Sequence, residues 1–164
     1  MQKDIQLHTD EMKARRVMKP QSQPQPPTGA FVGASWAALL AGVTTYLVGL
    51  WNANMPLYEK GFYFTILVYG LFSAVSLQKS VRDRLEGIPV TGIYFGLCWL
   101  SLGLAMLLLT VGLWHASIAP SEKGFYAMSF LLGLFAAVAV QKNIRDLLLF
   151  KEEPFPHETD NGLS

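Results

Sequence analysis

The chain has 164 residues, 51% of them hydrophobic and 15% charged, with a formal net charge of +1. So even a charge balance offers no electrostatic footprint for nucleic acid, and none is expected as a partner. A lone cysteine, Cys98, excludes a disulfide framework, and no cluster of cysteine, histidine or carboxylate at ligand spacing predicts a metal centre.

Charge is concentrated in three places: residues 1–29, residues 78–91 and residues 141–164. The first of these opens with almost thirty polar residues, which is not the layout of a secretory signal. It reads as a disordered cytoplasmic arm, with a scattered apolar set (Ile5, Leu7, Met12, Val17), followed by the Pro/Gln-rich linker Gln21–Gly29. Thr28 is placed to cap the first helix.

Four uncharged runs follow: Phe31–Trp51, Gly61–Leu77, Gly92–Trp114 and Gly124–Val140. The first and third, at about 21 and 23 residues, cross ~30 Å of hydrocarbon, and the other two, at about 17, are at the short end of the spanning range. The expected fold class is therefore all-α, a polytopic membrane protein with four transmembrane helices. Helix two is expected from about Glu59 to Glu86, stopped by Gly87 and Pro89. Helix three is expected from about Val90, and helix four from a cap at Ser121 with Glu122 in its first turn. The tail from Lys151 to Ser164 is expected to be disordered.

The runs repeat. Gly49-Leu50-Trp51 returns as Gly112-Leu113-Trp114, Glu59–Tyr63 returns as Glu122–Tyr126, and Gln78, Lys79, Arg82 and Asp83 return as Gln141, Lys142, Arg145 and Asp146, always 63 positions on. That is an internal duplication. It divides the chain into an arm and linker (1–29), a first two-helix repeat (30–88), a second (89–150) and a tail (151–164). Two crossings per repeat give both copies one orientation, so the repeat is parallel, two helical hairpins. Eleven of the 13 basic residues fall on the side of the termini and central loop, leaving Lys60 and Lys123 opposite, which predicts cytoplasmic termini.

Two motifs are the candidate interaction or anchor sites. Glu59-Lys60 and Glu122-Lys123 stand at the outer mouth of the even-numbered helices. They are read either as interfacial anchors, with the neighbouring Phe and Tyr joining the aromatic belt, or as cross-repeat pairs, Glu59 with Lys123 and Glu122 with Lys60. Gln78, Lys79, Arg82, Asp83 and their copies Gln141, Lys142, Arg145 and Asp146 place Lys and Asp at i,i+4, a pair worth ~0.3 kcal/mol. They are read as positive-inside anchors or as a docking surface for anionic lipid headgroups. Small residues recur at helical spacing at Gly70/Ala74, Gly133/Ala137, Gly92/Gly96 and Gly33/Ala37/Ala41. All are expected to be close-contact stripes.

The quoted segments, GLWNA, EKGFYF, GLFSAVSLQKSVRD and EGIP with their second copies, resemble the YiaA/YiaB family of bacterial inner membrane proteins. The resemblance covers about residues 31–150. It implies a multi-pass inner membrane protein built from a duplicated two-helix domain, and it brings no catalytic or binding residues.

No Asp, Glu, Lys, Arg or His lies in the middle of a crossing, where ion- or proton-coupled transport places one, and no proline breaks a helix interior. No nucleophile–base pair, phosphate loop or cofactor motif is present. The sequence therefore predicts a non-enzymatic structural or interaction module of the membrane, without catalytic site, cofactor or metal, whose partners are the lipid bilayer and a possible second copy. The alternative is a small transporter or channel working as an oligomer, which would need Thr44, Thr45, Ser73, Ser76, Ser101 and Thr110 to line one path.

Overall fold

The computed structural model describes residues 26–152, and within them four helices follow one another: α1 (Gly29–Asn52), α2 (Leu57–Leu85), α3 (Gly92–His115) and α4 (Pro120–Glu152). All four are long and apolar enough to cross a membrane. The expected disorder of the arm and tail falls on residues 1–25 and 153–164, outside the described residues.

The helix ends follow local chemistry. Thr28 accepts from the Phe31 amide at 3.3 Å, and Thr91 does the same for Tyr94 at 3.4 Å. α3 thus starts at Gly92 rather than at Val90, because Thr91 supplies the side-chain oxygen an N-cap needs. α2 ends at Leu85, and Gly87 takes φ +76°, the left-handed position that closes the helix. α2 and α4 start one to two residues earlier than expected, at Leu57 and Pro120. In α4 the residue before the helix is Ala119, and its amide donates to Glu122 at 2.9 Å. Half a capping box therefore does what was expected of Ser121. In α2 the matching residue is Pro56, which has no amide to donate, and Glu59 makes no such bond.

The two helices within each hairpin scarcely touch. α1 packs chiefly on α4, α3 chiefly on α2, and α2 meets α4 in the middle, while the two helices of each hairpin splay apart. Each repeat therefore buries its helices against the other repeat, around an internal pseudo-twofold axis. α2 and α4 form the centre, α1 and α3 the flanks. One end carries the short connections 53–56 and 116–119, called here the hairpin end. The other, the basic end, carries residues 85–91 and the ends of α2 and α4.

The core runs along the axis: Leu67, Phe130, Tyr63, Tyr126, Ile66 and Leu134, with Phe130 0% exposed and Leu67 2%. The outer faces of α1 and α3 are apolar and open, with Trp36, Leu40 and Val48 on one and Trp99, Leu100 and Leu107 on the other. That suits hydrocarbon as the surrounding solvent, since each helix satisfies its own backbone there.

Close approach is achieved at some of the small residues and not at others. A Cβ on Gly42 would stand 2.8 Å from the Gly133 amide nitrogen and 3.1 Å from its Cα, so α1 and α4 meet backbone to backbone. A Cβ on Gly70 would meet the Phe130 ring at 2.5 Å, whereas one on Gly133 would find only ordinary contacts at 3.8 Å and beyond. The Gly33/Ala37/Ala41 stripe faces outward, and Gly92 and Gly96 have nothing within 4 Å. Those two expected packing stripes are not used among the described residues. The buried stripe of α1 is Ser35, Gly42, Tyr46 and Leu50, on another face of the helix.

Candidate functional site

At the hairpin end the two copies of Glu-Lys-Gly-Phe-Tyr occupy matching places, and each residue has a different task. The Lys60 ammonium donates to the Trp51 carbonyl at 2.8 Å, and Lys123 donates to the Trp114 carbonyl at 3.2 Å. Each lysine thus closes the end of the preceding helix in its own hairpin, where orphan carbonyls and the negative end of the macrodipole await a cation. Among the described residues neither lysine pairs with a carboxylate. The expected cross-repeat pairs, Glu59 with Lys123 and Glu122 with Lys60, are therefore not formed. The helix-end carbonyls lie nearer and offer the ammonium a partner without a second long side chain to order.

The motif does join the repeats, through its rings. Phe125 lies over Gly49 and Phe62 over Gly112: a Cβ at either glycine would meet the ring edge, at 2.5 Å and 2.8 Å. Tyr63 and Tyr126 stack across the axis, ring centroids 6.1 Å apart and planes 16° from parallel. Each tyrosine also packs edge-on against its neighbouring phenylalanine, at 5.4 Å and 5.6 Å. Such aromatic pairs contribute ~0.5–1.5 kcal/mol beyond the area they bury. The seats at Gly49 and Gly112 escaped sequence reasoning, which attached those glycines to the tryptophans. The shared offset of glycine and phenylalanine was the available signal.

Tyr46 adds to this cluster from α1. Its hydroxyl donates to the Tyr63 carbonyl at 3.1 Å, and its ring meets Tyr126 edge-on at 5.4 Å. Asn52 and His115, equivalent in the repeat, both bond back to the carbonyl four residues earlier, to Val48 at 2.8 Å and Val111 at 2.9 Å. His115 is thus a helix-end hydrogen bonder.

At the basic end Lys79–Asp83 and Lys142–Asp146 form the expected i,i+4 pairs, at 3.3 Å and 2.7 Å. The two arginines converge instead. Arg145 of the second repeat bonds Glu86 of the first, and Arg82 approaches the same carboxylate at 4.0 Å while also lying 3.6 Å from Asp83. Glu86 is the hub of this end. It was hidden by the repeat, because its counterpart is Leu149. Arg84 sits over the Phe95 ring, 4.4 Å from the centroid, tying α2 to the start of α3. The side-chain oxygens of Gln78 and Gln141 are both buried without a partner, again as a symmetric pair. Over residues 78–91 and 141–149 five cations meet three carboxylates, so these two segments keep a net positive charge after their internal pairing.

Between α2 and α3 lies a cavity of about 170 Å³ lined by Tyr69, Ser73, Ser76, Tyr94, Cys98 and Ser101, among others. Ser73, Ser76 and Ser101 are thus brought together. Thr44 and Thr45 lie on the exposed side of α1, and Thr110 lines a different groove and bonds the Met106 carbonyl at 2.8 Å. The six hydroxyl residues do not share one path. Among the described residues no group of three or more histidine, cysteine or carboxylate side chains could hold a metal ion.

Comparison with known proteins completes the picture. The yiaA/B two-helix domain matches the chain twice, over residues 31–83 and 94–146. The Inner membrane protein YiaA of Escherichia coli (strain K12) is 60% identical over 117 residues, which cover 71% of this chain and 81% of that protein. The Uncharacterized membrane protein YubF of Bacillus subtilis (strain 168) is 37% identical over 60 residues, 36% of this chain and 69% of that protein. That is the span of about one repeat. No solved structure matches. Four spanning helices, a duplicated hairpin and a family match on both copies agree: the chain belongs to the YiaA/B two-helix-domain family of membrane proteins.

Proposed function

We propose that this protein is a non-enzymatic structural or interaction module of the bacterial inner membrane, with its basic end in the cytoplasm. The observation that carries the reading is the filled axis. Where a conducting path between repeats would run, Tyr63 stacks on Tyr126 and Phe130 and Leu67 fill the centre, with no Asp, Glu, Lys, Arg or His at mid-depth. The charged groups are gathered at the two ends, where they serve as anchors. Lys79, Lys142, Arg82 and Arg145 retain an excess of positive charge suited to anionic headgroups of the inner leaflet. The orientation rests on the same asymmetry of basic residues.

A second reading, a small transporter working as an oligomer, draws on the serine-lined cavity between α2 and α3. The two separate in proteoliposomes loaded with pH- and potassium-reporting dyes. Leak no faster than through protein-free vesicles is expected; facilitated proton or potassium flux would establish the transporter. Orientation is tested by an impermeant thiol reagent on intact cells in a Cys98→Ser background. Cysteines introduced at Asn54 or Ser117 should react, and one introduced at Gly87 should not.

A further inference from the structure

Because the helices of each hairpin splay, each hairpin encloses an apolar groove opening sideways at the hairpin end. The first, about 440 Å³, is lined by Leu47, Leu50, Trp51, Lys60, Gly61 and Phe64, among others. The second, about 640 Å³, is lined by Thr110, Leu113, Trp114, Lys123, Gly124 and Ala127 at the same repeat positions. The second, larger groove has Ala127 where the first has Phe64. Each groove has apolar walls at spanning depth, a tryptophan at its rim and a lysine at its mouth.

The glycines of the repeated motif point to an occupant. Gly49, Gly112 and Gly70 are glycine because a side chain stands where their Cβ would be, but a Cβ on Gly61 or Gly124 would meet nothing within 4 Å. Neither has a positive φ. Among the described residues no contact asks for glycine there, in the second turn of each helix, where it costs up to ~1 kcal/mol relative to alanine. Both line a groove, and both leave it open. Beside each, the lysine spends one of its three donors on a tryptophan carbonyl and, among the described residues, has no carboxylate partner.

We propose that the two grooves are binding sites for an anionic phospholipid, one acyl chain lying over Gly61 or Gly124 and the phosphate held at Lys60 or Lys123. The apolar walls match a hydrocarbon chain, and acyl chains are the medium that surrounds a spanning helix. The cation stands at headgroup level, where a charge-assisted bond to phosphate is formed without burying the ammonium. On this reading Glu-Lys-Gly-Phe-Tyr is a composite device: Phe and Tyr lock the repeats, while Lys and Gly hold a lipid in the gap that the lock leaves open.

The test is native mass spectrometry of the purified full chain in detergent with phosphatidylglycerol and phosphatidylcholine of matched acyl chains. Wild type should retain phosphatidylglycerol preferentially, one molecule per groove. Gly61→Leu and Gly124→Leu, which fill open space, should each halve that retention at an unchanged melting temperature, and together abolish it. Lys60→Gln with Lys123→Gln should erase the preference for phosphatidylglycerol. Should the leucine variants unfold, the lysine pair decides alone. Equal retention of both lipids by wild type, undiminished retention in the leucine variants, or a leucine-induced change of oligomeric state in place of lipid loss would each overturn the proposal; the last would assign the grooves to a second copy.

Discussion

The two flanking helices cross the centre in equivalent ways and are held differently. Where α1 crosses α4, Gly42 brings the backbones together, Asn143 donates to the Ser35 hydroxyl at 3.0 Å, and Ser35 donates in turn to the Phe31 carbonyl at 2.8 Å. Tyr46, from the same helix, bonds the Tyr63 carbonyl. Where α3 crosses α2, the equivalents are Ala105, Ser80, Cys98 and Leu109. Ala105 is 0% exposed, the Ser80 hydroxyl is buried without a partner, and no side-chain hydrogen bond between α3 and α2 is formed among the described residues. That crossing holds the 170 Å³ cavity instead, with Ser73, Ser76 and Ser101 where the first has Ala136, Ala139 and Ala38. One backbone plan, used twice, thus yields a bonded crossing and a looser, hydroxyl-lined one. The arrangement of helices belongs to the shared motif residues. The character of each crossing belongs to the positions that diverged.

Gly42→Ala is the sharpest way to break the contrast. The repeat offers Ala105 at the same position, so alanine looks harmless there, yet its methyl would strike the Gly133 backbone. A loss of about 1–3 kcal/mol in detergent unfolding is expected, the usual cost of overpacking. Gly133→Ala, with room around it, should be neutral. Equal effects would mean that α1 and α4 adjust freely and that the crossing is not backbone-limited.

Tyr46→Phe removes the hydroxyl and keeps the ring. It should cost about 1 kcal/mol, since interhelical hydrogen bonds in bilayers contribute ~0.6–2 kcal/mol. The same measurement on Leu109→Phe, at the equivalent position, reads packing alone and calibrates it. Asn143→Ser installs the residue of the looser crossing. It should cost less than Tyr46→Phe, because it forfeits the bond to Ser35 but also removes a buried, unpartnered side-chain oxygen.

Ser73→Ala makes the looser crossing resemble the tighter one. The buried Ser73 hydroxyl has no partner, so stability should be unchanged or slightly raised, by up to about 1 kcal/mol. A clear loss would show that a water or ligand in the cavity bonds this hydroxyl. The smallest effect is expected for a double-mutant cycle on Glu59→Gln and Lys123→Met. Since Lys123 caps its own hairpin, the two changes should add, with coupling within ~0.3–0.5 kcal/mol of zero.

The sequence by itself determined four spans, the duplication, most helix ends and the ion pairs within α2 and α4. Each of these depends on residues close in sequence or on the bare cost of exposing polar groups to hydrocarbon. Thr28 and Gly87 act as caps for reasons contained within a few residues, and Lys79 finds Asp83 because one helical turn brings them together. Which helix packs on which was decided only by the tertiary structure. An offset of 63 residues is equally satisfied by two compact hairpins side by side and by repeats that exchange their flanking helices. Likewise α1 carries two faces of small residues, and periodicity does not say which faces protein. The meeting of Phe125 with Gly49, of Arg145 with Glu86 and of Tyr63 with Tyr126 required the helices to be in place, because contacts between repeats depend on crossing geometry and not on spacing along the chain. The paired grooves have the same origin: they exist because each hairpin gives its packing to the other repeat and leaves its own interior open.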